Sequence, residues 1–375
     1  MIYILILISI IYLAFIMAFI IGFEKVETVK NNDAVPKNRF SIVIPFRNEA
    51  HNLPGLLKSI SIINYPSELF EVLLVNDDSQ DNFMTNISAF RKQNPLLNLR
   101  LLQNIRKSQS PKKDAINTAI NLSNFEWIVT TDADCVVPVN WLKLLNQFIE
   151  DENPVFMSAP VKFSLQNSLL FHFQNLNFTS LMGSTLGGFG INNPFMCNGA
   201  NLCYCKETFT DLIGFEGNTN IASGDDIFLM EKMFRIYPKK VKFLKSEEAI
   251  VETNAENTYK LFINQQIRWA SKSASYKSLF AKFVGIVVFS ENLIVLVLVI
   301  SALLFPKFWI YSTLVFVLKI IVDFILIAKT SFFLKSAKSL RYYFPVSVLY
   351  PFFIVFIGCL SLFKNYEWKG RIFKK

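Results

Sequence analysis

The stretch WIVTTDADC (127–135) is an apolar run that ends in two aspartates. A short run of apolar, β-branched and aromatic residues is typical of a buried strand. Asp132 and Asp134 therefore follow the carboxyl end of a predicted strand. Acids at such a position either bond the backbone of a turn or face a ligand.

Similar runs occur upstream, at 40–46 (FSIVIPF), 70–79 (FEVLLVNDDS) and 99–104 (LRLLQN). Helical patterns follow the strands, at 48–63, 82–94, 112–123 and 140–151. This alternation predicts an α/β domain with a mainly parallel sheet and helices on both faces. Because ligands of such sheets bind beyond the carboxyl ends of the strands, the aspartates lie where a site is expected.

The acids at the strand ends suit a metal and a nucleotide. Asp132 and Asp134 offer hard oxygen ligands, and Mg²⁺ or Mn²⁺ is often held by one or two carboxylates together with substrate phosphates. Asp77 lies at the end of the predicted strand at 70–79, where a carboxylate can accept the imide N–H of uracil or a ribose hydroxyl. For each of these acids, a turn that uses Asp for its own backbone bonds is the alternative.

Two segments add candidate polar groups at predicted helix starts. Asp225 and Asp226 in SGDDIF are favoured there by the helix dipole alone, but a general base is the functional interpretation. Lys112 and Lys113 in SPKKDAIN either meet phosphate or are solvated, and we assign Lys113 to the donor phosphates.

The segment CNGANLCY (197–204) contains small residues between polar ones. Asn198 and Gly199 suit a ligand that approaches close to the backbone, and we assign them to the acceptor site. A tight turn is the alternative.

The segment QQIRWA (265–270) places Gln265, Arg268 and Trp269 on one face of a helix, at i, i+3 and i+4. That face offers hydrogen-bond donors, a fixed positive charge and a flat aromatic surface. The alternative is a Trp packed under a membrane-proximal helix, with the Arg side chain extended to the interface.

Hydrophobic residues make up 52% of the 375 residues and charged residues only 18%, which is apolar for a soluble protein. The run from Ile2 to Phe23 has no charge and is long enough to span a bilayer, and no small-residue cleavage pattern follows it. Further apolar stretches lie at 283–305, 308–328 and 342–363. We therefore predict a transmembrane anchor (1–23), a catalytic domain (38–272), membrane-proximal and transmembrane helices (273–363) and a basic tail (364–375).

The formal net charge of +9 comes from basic residues that cluster beside the apolar stretches. This placement favours contact with anionic lipid headgroups, and we see no motif for binding nucleic acid. Glu291, Lys319 and Asp323 lie inside the apolar stretches, where charges are costly and are usually paired or functional. Lys319 and Asp323 are spaced to pair, and Glu291 either lines an acceptor path or is structural.

Together, the motifs resemble those of the membrane-bound family 2 glycosyltransferases, in the branch that is similar to processive synthases. The resemblance covers residues 38–272 and is carried by the following segments: SIVIPFRNEAHNL (41–53), VNDDSQD (75–81), PKKDAIN (111–117), TTDADC (130–135), CNGANLCY (197–204), SGDDIFL (223–229) and QQIRW (265–269).

The resemblance implies a GT-A fold and a metal-dependent hexosyltransferase. Such an enzyme transfers sugar, with inversion, from a nucleotide-diphospho-sugar, here a UDP-sugar. The implied acceptor is a hydroxyl of a lipid, a lipid-linked saccharide or a growing glycan at the cell envelope. The partners are therefore the nucleotide sugar, the lipid or lipid-linked glycan and the membrane.

The resemblance also implies roles for individual residues. Asp77 resembles the acid that contacts the nucleotide base, and Pro45 and Glu49 resemble parts of the nucleotide pocket. Asp132 and Asp134 resemble the D-x-D pair, with Asp134 the direct metal ligand. The remaining roles are Asp226 as catalytic base, Arg268 as diphosphate partner, and Asp225, Gln265 and Trp269 as acceptor contacts.

The chain departs from the family pattern in details of donor fit. Asp225 stands where Glu is usual, and Pro111 stands where a small residue is usual. Asn76 stands where Asp is common, and Asp78 where Gly is common.

Since nucleotide sugars are cytoplasmic, we expect a multi-pass protein of the cell membrane with its catalytic domain in the cytoplasm. The N-terminus then lies outside, and the basic loop 329–341 lies inside, as the positive-inside rule requires. If each apolar stretch crosses the membrane once, the basic tail (364–375) lies outside. Either one segment does not cross the membrane or the tail breaks the rule, and we favour the tail inside.

Four alternatives remain. A polyprenyl-phosphate sugar transferase has a phosphate acceptor that needs no general base, so Asp226 and the QQIRW motif argue against it. A polysaccharide synthase usually has more membrane spans. A non-catalytic membrane scaffold predicts loss of the acids, and a nucleotidyltransferase does not explain Gln265, Arg268 and Trp269.

Overall fold

The computed structural model describes residues 2–221, 223–273, 275–369 and 371–373. The chain divides into two compact units that interleave along the sequence. The sheet unit comprises Glu27–Ser164 and Cys197–Asn254. The helical unit comprises Met1–Val26, Leu165–Met196 and Ala255–Lys375. This division by contacts differs from the division into 1–23, 38–272 and 273–363 that we infer from motifs, which stays a proposal about function.

In its described part, the sheet unit has a seven-stranded, mostly parallel sheet in the order β3-β2-β1-β4-β7-β5-β8. Among these described strands, only β7 runs antiparallel to its neighbours, β4 and β5. A separate parallel pair is formed by β6 and β9. The strands are β1 (Phe40–Phe46), β2 (Phe70–Asn76), β3 (Leu99–Gln103), β4 (Trp127–Thr130), β5 (Phe156–Ser158), β6 (Val161–Phe163), β7 (Leu202–Cys205), β8 (Val241–Phe243) and β9 (Val251–Thr253).

The predicted α/β sheet is confirmed, and its first four strands lie where the apolar runs predict them. Every residue of β2 is buried, so both faces of the sheet are covered at that strand. The helices of the sheet unit are α2 (Leu53–Ser61), α3 (Phe83–Gln93), α4 (Pro111–Leu122), α5 (Trp141–Glu152), α7 (Lys206–Asp211) and α8 (Asp225–Ile236).

One predicted helix is shorter than expected. The pattern at 48–63 predicts a helix, but α2 begins only at Leu53, where Pro54 occupies the first turn. Asn48 has a φ of 53°, which is left-handed and incompatible with a helix start. Residues 47–52 therefore form a turn at the carboxyl end of β1, which places Arg47, Asn48 and Glu49 at the sheet edge.

The helical unit contains α1 (Ile2–Lys25), α6 (Leu169–Gly190), α9 (Tyr259–Ser273), α10 (Leu279–Leu304), α11 (Trp309–Phe333) and α12 (Tyr343–Phe363), with a short hairpin of β10 (Tyr366–Trp368) and β11 (Arg371–Phe373). Within the described residues, four helical stretches are long and apolar enough to cross a membrane: Tyr3–Lys25, Leu279–Leu304, Pro306–Phe333 and Ala337–Phe363. The predicted apolar segments are thus helical.

Small residues allow α1 and α6 to pack closely. A Cβ atom added to Gly187 would lie 2.5 Å from the Cα atom of Phe19, and one added to Gly190 would lie 1.8 Å from the carbonyl oxygen of Gly22. Close backbone approach at glycines is the usual way in which membrane helices associate. The helix α6, which the apolar pattern does not reveal, is therefore an integral part of this bundle.

The charges inside the apolar helices are partnered within the bundle. Lys319 and Asp323 form the expected i, i+4 ion pair, with Nζ and Oδ2 2.5 Å apart. Tyr12 of α1 donates to the other oxygen of Asp323 at 2.6 Å. Glu291 is buried and accepts a hydrogen bond of 2.8 Å from Ser9. These contacts join α1, α10 and α11.

Candidate active site at the edge of the sheet

The parallel register of β1 and β2 brings the turns after both strands side by side. Phe46 pairs with Asn76, and the backbone N–H of Asp77 donates to the carbonyl of Phe46 at 2.9 Å. The guanidinium of Arg47, the next residue after β1, donates to the carbonyl oxygens of Asp77 and Asp78 at 2.7 and 2.6 Å. The end of β2 is therefore fixed from the β1 side.

Asp77 is buried at this edge and held in one orientation. Its Oδ1 atom accepts hydrogen bonds from the Asn104 amide at 2.7 Å and from the Nε atom of Arg106 at 2.8 Å. Asp78 has a φ of 60°, in the left-handed region that favours glycine. This backbone conformation explains why glycine is common at the position in the family that the sequence resembles.

A lysine joins two aspartates beyond the end of β4. The Nζ atom of Lys112, in the first turn of α4, lies 2.7 Å from Oδ1 of Asp132 and 3.5 Å from Oδ2 of Asp225. Burial alone would lower the pKa of Lys112. The negative charges of Asp132, Asp225 and Asp226 outweigh burial and raise the pKa of Lys112 well above its usual value, so the ammonium stays charged.

Gly199 and Asp226 complete this group of charges. The backbone N–H of Gly199 donates to Oδ2 of Asp226 at 3.2 Å, and Thr130 of β4 donates to the Gly199 carbonyl at 2.9 Å. A Cβ atom at Gly199 would lie 3.4 Å from both Lys112 Nζ and Asp225 Oδ2. The glycine therefore leaves space beside the charges. We call Lys112, Asp132, Asp225, Asp226 and Gly199 the edge cluster.

Lys113 points away from the edge cluster. Its side chain is fully buried, and its ammonium donates to the carbonyl oxygens of Asn218 and Ile221 at 2.7 and 2.8 Å and lies 5.0 Å from the centre of the Phe228 ring. These contacts fix the loop that leads into α8. The geometry thus favours Lys112, and not Lys113, for a role at the donor phosphates.

The other predicted residues of the sheet unit lie at the same edge, in loops or near the end of a strand. Asp134 shares the turn after β4 with Asp132 and accepts from the Thr253 hydroxyl at 3.1 Å. Glu49 is buried and accepts from the Asn52 amide at 2.7 Å, and Pro45 lies near the end of β1. Asn198 accepts from the N–H of Ala200 at 3.0 Å, which is the contact of a turn.

The predicted residues of the QQIRWA segment lie in the helical unit, on α9. Gln265 donates to Glu256 at 3.2 Å, and its Oε1 atom is buried with no hydrogen-bond partner among the residues that the structure describes. The Trp269 ring packs near Phe178, with the ring centres 6.3 Å apart. Arg268 is partly buried on the same helix.

The carboxylate oxygens at this edge suit a divalent metal only when a bound phosphate-containing molecule supplies further oxygens. The described residues contain no group of three His, Cys, Asp or Glu side chains that would hold an ion by themselves. Asp132 and Asp134 are partly exposed in one turn and supply hard oxygens. These residues therefore fit Mg²⁺ or Mn²⁺ when phosphate oxygens supply the remaining ligands.

Three residues of this edge have no part in the sequence prediction: Arg47, Asn104 and Arg106. Asn104 and Arg106 directly follow β3, so their position at a strand end was a usable signal. Nothing in the sequence indicates that they bond Asp77, because those contacts depend on the path of the loop after β3.

Comparison with known proteins supplies family matches. A model described as glycosyl transferase family 2 matches residues 41–203, and one described as glycosyl transferase family group 2 matches residues 127–358.

Similar proteins include the glycosyltransferase AglE of Haloferax volcanii, 30% identical over 34% of this chain and 40% of that protein. The poly(ribitol-phosphate) beta-N-acetylglucosaminyltransferase TarS of Staphylococcus aureus is 28% identical over 31% of this chain and 19% of that protein. The chain thus spans two fifths or less of the length of these curated relatives.

A solved structure of the mannosyltransferase PcManGT from Pyrobaculum calidifontis, in complex with GDP-Man and Mn²⁺, has a similar fold. The match covers 96% of this chain and 99% of that chain, with a TM-score of 0.58 and 16% identity. At this identity the likeness shows the fold alone, and the predicted GT-A fold is confirmed.

Proposed function

Because the chain belongs to glycosyl transferase family group 2, whose model matches more than half of it, we propose that it is an inverting membrane glycosyltransferase. It transfers a sugar from a nucleotide-diphospho-sugar to a hydroxyl of a lipid, a lipid-linked saccharide or a growing glycan. The observation that carries the proposal is the edge cluster, in which Lys112 meets Asp132 and Asp225 beside Gly199.

The nucleotide half of the donor is assigned to the ends of β1 and β2. Asp77 accepts the imide N–H of the base, with its carboxylate oriented by Asn104 and Arg106. Pro45 and Glu49 form further parts of the nucleotide pocket. A UDP-sugar is the proposed donor, and GDP-sugars belong in the same assay because guanine also carries an N–H that a carboxylate can accept.

The diphosphate is assigned to Lys112, Asp132 and Asp134, with Arg268 as a second cationic partner. A bound Mg²⁺ or Mn²⁺ would supply electrostatic stabilisation of the leaving diphosphate. Chelation by EDTA is expected to abolish transfer, and added Mn²⁺ is expected to restore it. Unchanged transfer after exhaustive chelation would leave Lys112 and Arg268 as the neutralising groups.

The acceptor hydroxyl is assigned to Asp226, which takes its proton as the hydroxyl attacks the anomeric carbon opposite the diphosphate. The hydrogen bonds from Gly199 and Ile227 to its two oxygens hold the Asp226 side chain. Asn198, Gly199 and Asp225 are acceptor contacts. So are Gln265, whose buried Oε1 atom can accept a sugar hydroxyl, and Trp269, whose ring offers an apolar platform.

We also propose that the protein resides in the cell membrane through its long apolar helices and that the sheet unit is cytoplasmic. Four helical stretches of the described residues have the required length and composition. The supply of nucleotide sugars in the cytoplasm supports the orientation.

The decisive experiment replaces Asp226 by Asn in membranes assayed with labelled UDP- and GDP-sugars and a membrane lipid extract. Loss of a general base lowers kcat by about 10²–10⁴-fold. The exposed Asp151 on α5 gives the control, and Asp151→Asn is expected to transfer at the wild-type rate. Products are identified by mass.

The outcomes separate the alternatives. Wild-type transfer by Asp226→Asn would remove the base assignment, and with a polyprenyl-phosphate product it would favour the polyprenyl-phosphate transferase. Repeated addition of sugar to one acceptor would favour a polysaccharide synthase. No consumption of any nucleotide sugar by the wild type would contradict the enzyme and favour a scaffold.

A further inference from the structure

The helix α6 carries buried amide side chains that contact the segment containing the QQIRWA motif. The Nε2 atom of Gln174 donates to the backbone carbonyl of Glu256 at 2.9 Å, and its Oε1 atom accepts from the backbone N–H of the same residue at 3.0 Å. The carboxylate of Glu256 accepts in turn from Gln265 at 3.2 Å. Gln174 thus reaches the first motif residue through one intermediary.

A second amide on α6 reaches the next motif residue directly. The Nδ2 atom of Asn177 donates to Oε1 of Gln266 at 3.1 Å. The Oδ1 atom of Asn177 accepts from the hydroxyl of Tyr350, in the middle of α12, at 3.2 Å. Asn177 therefore joins α9 to one of the helices that are long enough to cross a membrane.

The Asn177–Gln266 hydrogen bond is buried, and the two bonds between Gln174 and Glu256 are partly buried. Gln174, Asn177 and Gln266 expose 1%, 4% and 8% of their surface, so each unmade bond would leave a buried polar atom. Gln174 and Asn177 are three residues apart and share a face of α6. Phe178 on the same helix packs near the Trp269 ring.

We infer that Gln174 and Asn177 are positioning residues. They fix the rotation of α9 about its axis and its position along that axis, and so the orientation of Gln265, Arg268 and Trp269. The effect on turnover rests on the proposed function, because it requires that α9 contributes to transfer. The contacts also explain why a helix without an apolar stripe lies among the apolar helices: its polar face supports the motif.

The test compares two asparagines on α6 that are equally buried. Asn177→Leu removes the bonds to Gln266 and Tyr350. The matched control Asn175→Leu removes a bond of 3.0 Å to Ser339, which does not belong to α9, from a residue that is 2% exposed. Gln174→Met, of nearly equal volume, removes both bonds to Glu256. Each full-length variant is purified in detergent, assayed for transfer and examined by hydrogen exchange.

The inference predicts that Asn177→Leu and Gln174→Met lower kcat by about 10- to 100-fold, because misplaced catalytic groups lose that much, with a smaller change in the KM for the nucleotide sugar. Backbone amides of α9 exchange faster in both variants. Asn175→Leu lowers thermal stability to a similar degree but keeps the wild-type kcat and the wild-type exchange of α9.

Equal kcat values for Asn177→Leu and Asn175→Leu would overturn the positioning role in catalysis. Unchanged exchange of α9 in Asn177→Leu would overturn the contact itself. If the wild-type protein transfers no sugar, the proposed function fails, and the exchange of α9 still decides whether α6 holds the motif.

Discussion

Charged side chains gather in two regions of the molecule, and they are partnered differently in each. In the helical unit, Lys319 has the carboxylate of Asp323 one turn away, and the second oxygen of Asp323 accepts from Tyr12. In the edge cluster, the single ammonium of Lys112 lies among the carboxylates of Asp132, Asp225 and Asp226. The charges of Lys319 and Asp323 balance each other, whereas the edge cluster has one ammonium for three carboxylates.

The two regions differ in exposure at Asp132, whose side chain is 37% exposed. The side chains of Lys112 and Asp225 are 17% and 11% exposed, close to the 5% and 16% of Lys319 and Asp323. Each charge of a buried pair is neutralised by its partner, so the pair has no need of a ligand. An open, unbalanced cluster attracts a cation, or a ligand that carries one. We therefore propose a structural role for the Lys319–Asp323 pair and a binding role for the edge cluster.

The largest expected effect is on the balanced pair. Lys319→Met leaves Asp323 buried without its counter-charge, and breaking a buried pair costs about 3–5 kcal/mol. We expect a lower midpoint of thermal unfolding in detergent and a reduced yield of folded protein. The double variant Lys319→Met/Asp323→Asn removes both charges, keeps an acceptor for Tyr12 and is expected to regain most of the stability.

Failure of the double variant to regain stability would break the comparison, because Lys319 would then have a role beyond its partner. Inactivity of a fully stable double variant would point to the same conclusion. Either result would indicate that Lys319 and Asp323 have a functional role.

The next effect tests the edge cluster through its two adjacent lysines. Among the described residues, Lys112 supplies the only ammonium that contacts Asp132. For Lys112→Met we expect kcat/KM to fall by about 100-fold, as for loss of one preorganised electrostatic group. Lys113→Met instead removes the ammonium that donates to the Asn218 and Ile221 carbonyls and is expected to lower stability by about 1–3 kcal/mol.

Transfer assays and thermal unfolding measured on both lysine variants separate the two effects. The assignment of Lys112 is contradicted if Lys113→Met loses more activity per folded molecule than Lys112→Met. The double variant Lys319→Met/Asp323→Asn is expected to regain stability. In contrast, the double variant Lys112→Met/Asp132→Asn is not expected to regain transfer activity.

Much of the sheet unit is predictable because its signal is local. Apolar runs locate β1 to β4, and the parallel topology then gathers the residues that follow them at one edge. The choice between Lys112 and Lys113 is different, because adjacent residues of a helix point about 100° apart. Which lysine meets Asp132 depends on how α4 is rotated against the sheet, and no local pattern records that rotation.

The helix α6 escapes prediction for a related reason. Its buried face includes His172, Gln174, Asn175 and Asn177, so polar residues stand where an apolar stripe would reveal a packed helix. The short strands from β5 to β9 have only three or four residues each, which is too little for a periodic signal. Both features become visible only through contacts between distant segments.

The smallest effects concern two glycines, one in each region. A Cβ atom at Gly187 would lie 2.5 Å from the Cα atom of Phe19, so Gly187→Ala must displace the α1 backbone and is expected to cost about 1–3 kcal/mol of stability.

A Cβ atom at Gly199 would make only ordinary contacts of 3.4 Å, so Gly199→Ala is expected to fold normally. Its methyl group would nevertheless occupy the space beside Lys112 and Asp225, and we expect a loss of about tenfold in kcat/KM, because a small displacement of a bound group lowers the rate. Thermal unfolding and transfer measured on both variants decide the matter. Full activity of Gly199→Ala would mean that no ligand uses this space, and the open cluster would then be as self-contained as the pair in the helical unit.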